Sequence, residues 1–175
     1  MNGSGKTYRI RRSFLVPLAV DVLLLFALLV ISLTYKGSGT ERIFLASLSL
    51  FSLPILAEAA LRKVIVSEGG VALKKLGKLR ELLWSDITHV GCLKVRSRVY
   101  ILLTTKKGFH IISNAYDSFA ALVGDIVGHL DAEKIEIEAE AKEQIDNPTR
   151  NSSDLMAAWI AAVVLAAIIY VKFIP

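Results

Sequence analysis

Cysteine is nearly absent from this chain: Cys92 is the only one in 175 residues, so no intrachain disulfide can form. A framework of bridges is excluded, and a domain in a reducing compartment is the simplest setting. A lone thiol in an apolar strand reads as packing rather than as a nucleophile. Histidine is almost as scarce. His89, His110 and His129 are the only three, with no ligand-spaced pair among them. No serine stands in a nucleophile elbow. Asn2-Gly3-Ser4-Gly5-Lys6-Thr7 resembles the end of a phosphate-binding loop, but it lacks the glycine five positions before Gly5 and the preceding strand that the motif requires. The acids Glu133, Glu136, Glu138, Glu140 and Glu143 do not follow a calcium-loop order and read as a solvated helical connector. These absences leave no catalytic centre, no cofactor site and no metal site to argue for, and a non-enzymatic role is expected.

Long apolar runs, by contrast, dominate the chain. Phe14 to Thr34, Ile43 to Leu61 and Leu155 to Ile174 each approach the ~20 residues that a helix needs to cross about 30 Å of hydrocarbon. The first two are joined only by residues 35–42, so they must form an antiparallel hairpin. The chain divides into a basic head (1–12), a transmembrane hairpin (13–62), a central domain (63–132), an acidic connector (133–153) and a last transmembrane helix (154–175). The N-terminal apolar run is about twice the length of a signal-peptide core, which favours an uncleaved anchor.

Charge near the spans sets the expected orientation. Lys6, Arg9, Arg11 and Arg12 precede the first span without an acid, and Arg62, Lys63, Lys74 and Lys75 follow the second. Head and central domain should therefore face the cytoplasm, with residues 35–42 and Pro175 outside. Asp21 is the sole ionisable residue well inside a span, a position costly enough to imply a partner or a function. A transport role would need more such groups, and only Glu58 joins it. Ala158, Ala161, Ala162 and Ala166 put small residues at roughly helical spacing on the third span. This favours close helix packing, against the Asp21-containing hairpin or against a partner chain, either another protein or a second copy.

Between the spans the period changes from 3.6 to 2. Alternation and turn residues predict six strands: Lys63–Glu68, Val71–Leu76, Leu79–Trp84, Ile87–Val95, Val99–Thr105 and Phe109–Ser113. Phe119, Leu122, Val123, Ile126, Val127 and Leu130 then recur at helical spacing. Short turns require antiparallel pairing, so the fold class is membrane α plus β: a bent antiparallel sheet or partly open barrel capped by a helix and flanked by transmembrane helices.

Three segments carry a family likeness: Val66-Ser67-Glu68-x-Gly70-Val71, Leu83-Trp84-Ser85-Asp86-Ile87, and a strand ending Thr104-Thr105-Lys106-Lys107-Gly108 before an aliphatic helix. Residues 42–132 resemble the bacterial pleckstrin-homology-like (PH-like) domains, which often follow a two-helix membrane hairpin. The resemblance implies a seven-strand barrel-like sheet with a C-terminal helix, one strand more than the sequence displays. The seventh is absent or hidden by a split at Gly91. Basic residues around a strand–loop–strand form the headgroup site of lipid-binding relatives, and Lys74, Lys75, Lys78 and Arg80 loosely match that spacing. Their hairpin is the second in the chain, whereas those sites use the first. Membrane lipids are thus one expected partner. No aromatics interleave with these lysines, which excludes nucleic acid. The leading expectation is a non-catalytic scaffold or accessory subunit presenting a PH-like domain at the cytoplasmic leaflet. An anionic-lipid-sensing regulator and a small transport component are the alternatives.

Overall fold

The computed structural model of the protein describes residues 5–35, 37–106, 108–131, 135–149 and 152–173. Asn2, Gly3, Ser4, Lys107, Glu133, Ile174 and Pro175, which entered the expectations above, lie outside the described residues. Along the chain run β1 (Lys6–Arg9), α1 (Arg12–Thr34), α2 (Gly39–Leu61), β2 (Lys63–Ser67), β3 (Gly70–Lys75) and β4 (Lys78–Leu83). After a single 3-10 turn at Trp84–Asp86 come β5 (Ile87–Val95), β6 (Arg98–Thr105), β7 (Gly108–Ser113), α3 (Phe119–Gly128), β8 (Glu136–Ile137), α4 (Ala139–Asp146) and α5 (Ser153–Phe173). Two units result: residues 1–11 with 61–152, and residues 12–60 with 153–175.

The first unit holds two four-stranded sheets, ordered β1-β2-β3-β4 and β7-β6-β5-β8, antiparallel except where β8 runs parallel to β5. Alternation decides what is buried. On β6, Val99, Ile101, Leu103 and Thr105 point inward while Arg98, Tyr100, Leu102 and Thr104 point out, the period of 2 that a half-buried strand imposes. Val64, Val66, Val71 and Leu82 supply the inner face of the first sheet. Helix α3 inserts Phe119, Leu122, Val123 and Ile126, a 3–4 stripe, into the same core. The β2–β3 turn depends on Gly70: at φ 154° its place is closed to other residues, since a Cβ there would lie 2.0 Å from the Leu82 carbonyl oxygen.

All six expected strands are present, each within a residue or two of its sequence reading. A further strand comes from an unexpected place: β1, drawn from the basic head, pairs with β2, from which the α1–α2 hairpin separates it in the chain. No split at Gly91 is involved, for β5 is continuous from Ile87 to Val95. Residues Lys6–Arg9 of the head are therefore a strand of the sheet.

The acidic connector is also corrected. It adds β8 to the second sheet and packs α4 beside α3, with Ala141 and Gln144 buried. Gln144 Oε1 accepts from the Thr149 backbone N–H (3.0 Å), and the Thr149 carbonyl accepts from Asn114 Nδ2 (2.8 Å). Glu138 reaches back over β5, where its carboxylate accepts from the Cys92 N–H at 2.7 Å. Glu136, Glu140, Glu143 and Asp146 occupy exposed positions of this segment, so its composition reads as solvated while its inward residues complete the core.

In the second unit, α1, α2 and α5 are 23, 23 and 21 residues long. All three are long and apolar enough to cross a membrane, as expected of a membrane protein. Helix α2 continues through Pro54. Helices α1 and α5 pack together. Arg42 Nε donates to the Ser32 carbonyl (3.0 Å), and Lys172 pairs with Glu41. The ends of α1 and α5 therefore both meet the start of α2, which makes α1 and α5 parallel. Buried residues on α1 and α2 fall in single stripes, Val22, Leu25, Leu28 and Ser32 on one and Leu45 and Ser49 on the other. Leu23, Phe44, Phe51 and Ile160 are among many large apolar side chains left exposed.

Candidate functional site

Helix α3 fixes the first sheet through polar contacts as well as through its apolar stripe. Asp125 accepts from Lys6 Nζ at 2.8 Å and from the Tyr8 hydroxyl at 2.5 Å, so it ties β1 to the helix. Burial pushes the Asp125 carboxyl up, but the Lys6 and Tyr8 hydrogen bonds outweigh it and hold the group below the usual carboxylate range. The same burial, with the adjacent carboxylate, raises the Tyr8 phenol. One turn on, the His129 ring stacks on Trp84 with centroids 5.0 Å apart, and Trp84 Nε1 donates to the Ser67 carbonyl at 2.9 Å. The Trp84-Ser85-Asp86-Ile87 step thus joins the two sheets to the helix. The corner is closed by the Asp86 carbonyl, which accepts from Lys106 N–H.

On this frame the β3–β4 hairpin is a reversal of two residues, Leu76 (φ 51°) and Gly77 (φ 71°). Both are left-handed, as the twist of a tight hairpin demands. Directly opposed residues share a face. Lys75 opposes Lys78, and Leu73 opposes Arg80, so Lys75, Lys78 and Arg80 continue the inner face that Val71 and Leu82 begin. Lys74 opposes Leu79 and stands on the outer face. The four residues named from the sequence hence straddle the hairpin.

Lys74 has other company. The ladder places Arg9 opposite Lys63, and Lys63 opposite Lys74. Three cations thus form one row on the outer face across three strands, with neighbouring Cβ atoms about 5 Å apart. Like charges directly opposed destabilise a sheet, so an anion in front of this row would be favoured. Arg9 and Lys63 were missed in the sequence because they are distant in the chain and meet only through the unexpected β1–β2 pairing. The row also marks the end of the sheet at which the chain departs for α1, three residues after Arg9, and returns from α2, at Leu61. Leu76 lies two residues beyond Lys74 at that same end and is 71% exposed. Its left-handed backbone costs about 1–2 kcal/mol.

The outer face of the second sheet is different in kind. In register across β5, β6 and β7 stand Leu93 with Tyr100, then Leu102 with Ile111, then Thr104 with Phe109. Val95 continues the strip on β5. Phe109 is 66% exposed, Ile111 55%, Leu93 52% and Val95 49%. Side by side on one face, they make a contiguous apolar surface of the sort that marks an interaction site.

The other residues singled out in the sequence are scattered. His89 lies 3.6 Å from Glu138, His129 is against Trp84, and His110 is held below its ordinary value by burial and by Arg80. No group of three metal-ligating side chains occurs among the described residues. Burial, then Glu138 and Glu140, push the Cys92 thiol up, away from the thiolate that reactivity needs. Asp21 is half-buried on α1, and its buried Oδ1 has no hydrogen-bond partner among the described residues. On α5, Ala162 is buried and Ala158 half-buried, whereas Ala161 and Ala166 are exposed. No family model, curated protein or solved structure matches the chain.

Proposed function

We propose that this protein is a non-catalytic, membrane-anchored scaffold or accessory subunit: a PH-like domain held at the cytoplasmic leaflet of a bacterial inner membrane, offering a surface to a partner protein. The observation that carries the reading is the uncovered apolar strip of Phe109, Ile111, Leu102, Tyr100, Leu93 and Val95. Leaving such a patch in water costs solubility unless something covers it. Seven strands in two antiparallel sheets followed by α3 support the PH-like reading, with the membrane hairpin lying between the first and second strands. Three spans and the basic residues flanking the first two support the anchoring and its orientation.

The test is recovery of partners from mild detergent with tagged full-length protein. Phe109→Asp with Ile111→Asp alters only outward side chains, so the domain should keep its melting temperature while losing the chains that co-elute with the parent. Identical co-eluting chains for both forms would refute the surface.

A second reading, an anionic-lipid-sensing role, is favoured by the Arg9–Lys63–Lys74 row and by Lys75 and Lys78 at the same end of the sheet. Each such cation beside an anionic leaflet contributes about 1 kcal/mol without any pocket. Arg80 lies further from the tip and contributes less.

A further inference from the structure

We propose that the β3–β4 turn is a membrane-inserting tip, in which Leu76 enters the interfacial zone of an anionic leaflet while Lys74, Lys75 and Lys78 meet lipid phosphates. This deepens the lipid reading and rests on the membrane reading of α1, α2 and α5. Three observations converge on it.

The first is the residue itself. A two-residue hairpin of this type favours asparagine, aspartate or glycine at its first position, because φ is positive there. This chain has leucine, at φ 51° and 71% exposed. In water the choice is unfavourable twice over, once for backbone strain and once for exposed apolar area. Strain at a position the fold does not need points to a use outside the fold.

The second is the surroundings. Lys74, Lys75 and Lys78 flank the leucine within two residues, on both faces of the hairpin. An apolar point inside a cationic collar matches an anionic bilayer, which offers phosphates at the surface and hydrocarbon below. A protein partner of that pattern would need its own acidic rim around an apolar socket. The bilayer supplies both without a specific structure.

The third is position along the strands. Lys63 and Lys74 are in register, and the hairpin runs on to Leu76, about 7 Å further at roughly 3.3 Å per residue. It extends past the row where β1 and β2 join the apolar helices. Arg9 is three residues from Arg12, where α1 begins, and Lys63 is two from Leu61, where α2 ends, so this is the end of the sheet at which the chain leaves for the apolar helices and returns from them.

The experiment uses the full chain in vesicles, with Cys92→Ala as the background and a single cysteine bearing an environment-sensitive fluorophore. Leu76→Cys reports the tip, Glu68→Cys the β2–β3 turn at the opposite end of the sheet, and Phe51→Cys the middle of α2. Vesicles contain phosphatidylcholine alone or with about a third phosphatidylglycerol, and carry a quencher high on the acyl chain. In anionic vesicles the Leu76 label should be quenched at least threefold more than the Glu68 label. That excess should fall at least twofold without phosphatidylglycerol, or when Lys74, Lys75 and Lys78 are all glutamine. Strong quenching at Phe51 with none at Leu76 overturns the tip while leaving the membrane reading intact. No quenching at Phe51 sinks both. Equal quenching at Leu76 and Glu68 also overturns the tip.

Discussion

The two sheets of the soluble unit share one core and expose opposite chemistries. The first ends in a cationic row, Arg9–Lys63–Lys74, with Lys75 and Lys78 beyond it. The second turns Phe109, Ile111, Leu93 and Val95 outward. Their inner faces are alike, rows of valine, isoleucine and leucine alternating with the outward residues. A sheet's inner face answers to the fold, whereas its outer face is free to answer to a partner. On the function proposed above, lipid phosphates would meet one sheet and an apolar protein surface the other.

The most damaging way to break the comparison is to remove what both sheets share. Phe119 is 1% exposed beneath them, and Phe119→Ala should cost about 3–5 kcal/mol, enough to abolish both surfaces at once. Chemical denaturation of the soluble unit in detergent checks it. Uncoupling of the two sheets, with the second still folded, would show that the core is not shared.

Next in size is Asp125→Ala, which leaves Lys6 and Tyr8 without their acceptor. A loss of about 2 kcal/mol is expected, confined to the first sheet, and visible as faster amide exchange in β1 and β2 than in β6. The same carboxylate gives a pH signature. Its folded pKa lies below the unfolded value of about 3.9, so its contribution is present above that value and is lost as pH falls through the folded one. The parent should therefore loosen β1 below about pH 4, and the alanine variant should lack that step.

Gly91→Val acts on the second sheet alone. A Cβ at position 91 would stand 3.2 Å from Glu138 Oε1 and 3.3 Å from the His89 ring, so the carboxylate must give way. About 1 kcal/mol should be lost, with exchange rising in residues 136–146 and nowhere in the first sheet. Smallest is Leu76→Asn, which suits the left-handed turn and should stabilise the first sheet by about 1 kcal/mol in detergent. A loss there would mean that Leu76 is packed within the domain.

Local signals were read well, and pairings between distant segments were not. Alternation and turn residues located β2 to β7, because each strand is joined to its neighbour by a short turn or by the Trp84–Asp86 corner. Strand β1 gives no such signal: four residues long, it is separated from its partner by the whole membrane hairpin. The cationic row was invisible for the same reason, since register and not sequence brings Arg9 beside Lys63. The connector misled through its composition, in which Ala141 and Gln144 are the inward pair among the exposed acids of α4 and Glu138 folds back on β5. On α5 the spacing announced a small face, and burial, which the sequence does not display, sets Ala158 and Ala162 apart from Ala161 and Ala166.

The central claim is that the helices span a membrane and hold the soluble unit on its cytoplasmic side. With Cys92→Ala as the background, single cysteines at Glu68 and at Ser38 should be challenged by an impermeant maleimide in right-side-out and inside-out vesicles. The account predicts that Ser38→Cys reacts only in right-side-out vesicles and Glu68→Cys only in inside-out ones. Reaction of both cysteines from the same side, or the reverse pattern, would contradict it.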